Sequence, residues 1–128
     1  MKQIMVLLLA AFIAVGCSKE KDELKARLTA KFEKDQDIAD YKVDPSTMAD
    51  CVSDKISKEA PGFPGSPSHS KVLGAYAKLV QVDPLEDFRP ALEETKEIFG
   101  STKKAYQAAT NITNHVMSCM GNIMGVDT

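Results

Sequence analysis

The sequence predicts an all-α domain, a small bundle of about four helices, on three observations. Apolar residues recur in steps of three and four over long stretches, most fully from Phe88 to Ile123. Helix boundaries are written out: Asp44-Pro45 and Asp83-Pro84 each set a capping carboxylate before a proline, and Gly100-Ser101 joins a C-terminal cap to an N-cap. The period-two alternation of a half-buried strand occurs nowhere.

Each element can be justified in chain order. Leu24, Leu28 and Phe32 stand at i, i+4 and i+8, which predicts a narrow amphipathic helix from Lys19 to about Tyr41. Its charged end, Glu33 to Asp40, lacks the glycine and terminal glutamate of a calcium loop and is read as a solvated face. Asp44-Pro45 opens a second helix with Met48, Cys51, Val52 and Ile56 inward, and Pro61 ends it. Residues 61 to 70 hold three prolines and two glycines and read as a connector. Phe63 and an exposed His69 are its candidate binding residues. Ser70 then caps a third helix with Val72, Leu73, Tyr76, Ala77, Leu79 and Val80 facing in.

Beyond a turn at Asp83-Pro84, the inward row runs Phe88, Leu92, Thr95, Phe99, Thr102, Tyr106, Ala109, Thr113, Val116, Met120 and Ile123. Ile98, Ala105, Ile112 and Cys119 widen it on one side. Gly100-Ser101 is the expected break between two stacked helices.

Composition removes several function classes. A net charge of −2 over 128 residues provides no basic stripe for nucleic acid. No G-x-S-x-G, H-E-x-x-H or phosphate-binding glycine loop is present, so no catalytic residue is assigned, no enzyme activity is expected and no cofactor is implied.

The first sixteen residues form a separate unit. Lys2 precedes an uncharged apolar run, Ile4 to Val15, which is too short to span a bilayer and fits a signal peptide. Ala14-Val15-Gly16-Cys17 resembles the lipobox of bacterial lipoproteins, with Ala14 where Leu is commonest. That resemblance implies cleavage before Cys17, acylation of its thiol and new N-terminus, and anchoring in the cell envelope. In that family a serine at the position of Ser18 implies the outer membrane, facing the periplasm. The organisation it implies is a signal peptide (1–16), an acylated cysteine and tether (17–22) and a helical domain (23–128). Two or three acyl chains would anchor the protein stably.

Lipidation of Cys17 leaves two cysteines, Cys51 and Cys119, in an oxidising compartment, where a disulfide is the default. It would tie the second helix to the last. Cys119 lies within the stretch Asn114 to Met124, beside His115, Met117, Met120 and Met124. These are ligands suited to Cu(I) or zinc, but methionine at helical spacing also fills irregular cores. With Cys119 oxidised, the methionines read as packing around the disulfide, and no metal ligand is assigned. The expected function is binding: a lipid-anchored module that engages another envelope or secreted protein, of accessory, exclusion or immunity type. The alternative is a periplasmic copper-binding protein using His115, Met117, Met120 and Met124. The acidic run Glu93-Glu94-Glu97 reads as a solvated helix face.

Overall fold

The computed structural model describes residues 19–81, 83 and 85–126. The expected signal peptide, Cys17 with its expected lipidation, and Pro84 lie outside the described residues. The architecture is all-α, with six helices and no strand among the described residues. They are α1 (Lys19–Glu33), α2 (Gln36–Asp40), α3 (Pro45–Glu59), α4 (Pro67–Leu79), α5 (Arg89–Phe99) and α6 (Thr102–Met124).

α1 buries Leu24, Leu28 and Phe32, the expected row. It begins at Lys19, so residues 19–22, assigned above to a tether, already belong to the helix. It also stops earlier than expected, because Asp35 caps a second helix: its Oδ1 accepts from the Asp37 and Ile38 amides at 3.0 and 3.3 Å. The short second helix carries Ile38 into the core, where it is 1% exposed.

α3 starts as Asp44-Pro45 requires, with the Thr47 amide donating to Asp44 Oδ2 at 2.9 Å. It buries Met48, Ala49, Val52, Ser53 and Ile56. Lys21 pairs with Asp54 and Lys25 with Asp50, each at 2.7 Å, so α1 and α3 run antiparallel. These exposed ion pairs fix register more than they add stability. α4 begins earlier than Ser70: Ser66 accepts the His69 amide at 3.4 Å and Pro67 takes the first helical position. Gly100 ends α5 at φ +104° and Ser101 caps α6 through the Lys104 amide at 3.1 Å, so the expected break is real.

The core is shared by α1, α3 and α4, with α5 packed between α4 and α6 and α6 closing onto α3. One expectation is corrected on α6. Its buried face is Ala105, Ala108, Ile112, His115 and Cys119. Tyr106 and Ile123, placed inward by the apolar spacing, are exposed. The helix is turned by about one residue from the expected row. The inward face carries small side chains at 105 and 108, which allow close approach, and the cysteine that must meet α3.

Candidate functional site

Two connections join α3 to α6. Cys51 and Cys119 form a disulfide, with their Cα atoms 5.9 Å apart. Two helical turns further along α3, Glu59 Oε2 accepts from Asn111 Nδ2 and from His115 Nε2, both at 2.9 Å. Asn111, His115 and Cys119 stand at i, i+4 and i+8, one face of α6. Higher numbers on α3 meet lower numbers on α6, so these helices are antiparallel. The contact to the carboxylate requires that His115 Nε2 carry a proton. His115 is buried, and its imidazole is therefore committed to α3.

The amide of Asn111 and the imidazole of His115 hold the Glu59 carboxyl below its usual range, aided by Lys55 and opposed by partial burial. A depressed folded-state pKa contributes stability above the ordinary glutamate value, and that contribution is lost as pH falls through the lower folded value. Because the Glu59 side chain is 56% exposed, solvent screens the effect and it stays small. Thermal melts from pH 6 to pH 3 are expected to fall more steeply for the wild type than for Glu59→Gln, with the difference confined to the acid limb. Parallel curves would show that the carboxylate is not coupled to folding. Tyr76, held against Phe99 edge-on at 5.3 Å, lies beside the same cluster, and burial pushes its hydroxyl pKa up.

The α3–α4 connection carries the two residues singled out as binding candidates, and the structure treats them differently. Phe63 is 72% exposed. It sits in a fixed turn, with Gly62 and Gly65 at φ +81° and +90° and the Ser66 amide donating to the Phe63 carbonyl at 2.9 Å. A Cβ on Gly62 would come within 2.5 Å of Ser66 Oγ and 2.6 Å of Ser68 Oγ, and the positive φ there also favours glycine.

His69 is corrected from exposed to buried, at 2%. Helix α4 starts at Pro67, which puts His69 in its first turn and folds it back onto α3. There Nε2 donates to the Ser57 carbonyl at 2.8 Å, and Nδ1 is buried with no hydrogen-bond partner among the described residues. His69 is a core residue. The signal for this was the dipeptide Ser66-Pro67, which has the same form as Asp44-Pro45.

The methionines also depart from expectation. Met120 packs partly against the core, but Met117 is 67% and Met124 42% exposed, so neither lines the disulfide. His115 points away from them, into the α3 seam. The acidic run on α5 is a paired surface: Glu93 bonds Lys96 and Glu94 bonds Lys78, each at 2.7 Å. A cavity of about 230 Å³ lies between the C-terminal end of α1 and the middle of α6, lined by Lys31, Val80, Phe88, Ala109 and Thr113 among others. Among the described residues, no group of three or more His, Cys, Asp or Glu is placed to hold a metal ion. No helix among them is long and apolar enough to cross a membrane.

Fold and site together define a class, a small α-helical domain closed by one disulfide and a neighbouring polar clamp. The chain matches no family model, no curated protein and no solved structure.

Proposed function

We propose that this is a lipid-anchored helical module of the bacterial envelope that works by binding another envelope or secreted protein, with Phe63 as an anchor. The observation that carries the reading is the exposure of Phe63 on a turn held by two positive-φ glycines and a backbone hydrogen bond. An aromatic ring presented on a pre-ordered loop loses little entropy on binding, and such residues supply disproportionate energy at interfaces. The anchor rests on the lipobox-like Ala14-Val15-Gly16-Cys17.

The direction of the chain sharpens the proposal. α1 begins two residues after Cys17, and α3 runs antiparallel to it, so the Phe63 loop lies at the end of the bundle where α1 starts. An acylated Cys17 would hold that end near the bilayer, and the partner would be met at the membrane surface. A photo-crosslinking side chain at position 63 in the native envelope is expected to give a discrete protein adduct, absent from a control at exposed Tyr106. With the partner in hand, Phe63→Ala is expected to weaken binding by about 2 kcal/mol or more while leaving the melting temperature unchanged. Adducts to lipid alone would overturn the protein-binding reading.

A further inference from the structure

We infer that Met117, Met124 and, at the edge of the core, Met120 form a thioether site on α6 for a soft monovalent cation, Cu(I) or its redox-inert counterpart Ag(I). The site is independent of the Phe63 loop. Residues 19–126 contain four methionines, and three of them stand on this one face at i, i+3 and i+7. The fourth, Met48, is fully buried in the core.

Helix geometry allows the three sulfurs to meet. Met117 and Met124 are about 10.5 Å apart along the axis, with Met120 between them, and each long, unbranched side chain has three rotatable bonds. Gly121 lies on the same face, four positions after Met117 and three before Met124. With no side chain there, the flank of the Met117–Met124 pair opposite Met120 is open. Two of the three are already substantially in solvent, where an apolar side chain gains nothing from packing.

The surroundings select the ion. Cys119 is in the disulfide and offers no thiolate, and His115 is turned inward onto Glu59. The donor set is therefore three neutral thioethers, which suits soft d¹⁰ monovalent ions and disfavours zinc. No Lys or Arg occurs in the sequence after Lys104, so α6 places no fixed cation beside the site. The ligand set thus differs from the sequence expectation by losing His115.

Silver nitrate tests this without a reductant, so the disulfide stays intact. Titrated into the purified protein with labelled methionine methyl groups, Ag(I) is expected to shift the Met117, Met120 and Met124 resonances together, saturating at a single equivalent, while Met48 stays still. The triple variant Met117→Leu/Met120→Leu/Met124→Leu should lose that binding and keep its helical fold, because two of the three positions are exposed. Zn(II) should shift none of the three. Unmoved methyl resonances under Ag(I), equal Ag(I) binding by the leucine variant, or equally tight zinc binding would each overturn the site.

Discussion

Replacing both Cys51 and Cys119 by alanine is expected to lower the unfolding free energy by about 4 kcal/mol, the chain-entropy value for a bridge across 68 residues. For a domain of this size that corresponds to a drop in melting temperature of about 15–20 °C. The loss should not spread evenly. Helix α5 has 11 residues and turns back along the 23-residue α6 from Gly100, so it cannot follow α6 to its end. Beyond Asn114 the polar clamp of Glu59 with His115 and the disulfide carry the attachment to α3. Without the disulfide, amide hydrogen exchange should rise most from Asn114 to Met124 and least from Ala105 to Ile112. A melting temperature within a few degrees of the wild type would mean that the clamp and the packing of Ile112 hold α6 by themselves.

Local chemistry explains which features were legible in the sequence. Asp44-Pro45 and Gly100-Ser101 identify helix ends because capping is decided within four residues and needs no tertiary partner. The pairing of Cys51 with Cys119 followed from counting, once Cys17 was assigned to a lipid. Ser66-Pro67 has the same form, but the prolines and glycines around it extend the apparent loop to Ser70 and put His69 outside the helix.

The α6 face could not be read for a different reason. The apolar spacing centres the row on bulky Tyr106 and Ile123 and leaves Ala105, Ile112 and Cys119 at its edge, whereas close approach to the neighbouring helices favours small residues on the inward side. A buried histidine has its place only because Glu59, 56 positions away, offers it an acceptor. Such long-range pairings leave no periodicity to detect. The same rotation of α6 exposes Met117 and Met124.

The second large effect is expected at Phe32, where substitution by alanine should cost about 3–5 kcal/mol. α1 packs against both α3 and α4 through a buried row of Leu24, Leu28 and Phe32. Phe32 is the largest of these and 1% exposed. The space it leaves cannot readily close. Its carbonyl accepts the Asp35 amide at 3.2 Å, and the Asp35 cap that follows fixes Ile38 in the core. With the backbone so constrained, the cavity term adds to the lost transfer energy. Phe32→Leu, which keeps most of the volume, should cost clearly less. Urea denaturation should show both variants shifting the midpoint with an unchanged slope, as expected for a loss of native-state packing. Small domains have total stabilities of about 5–15 kcal/mol, so Phe32→Ala alone should leave a folded protein with a greatly raised unfolded fraction. Combined with the Cys51→Ala/Cys119→Ala pair, the loss reaches about 7–9 kcal/mol if the effects add, a large share of the stability of a small domain. A combined variant that still melts cooperatively above 50 °C would show that α1 is held by something other than its three-residue apolar row.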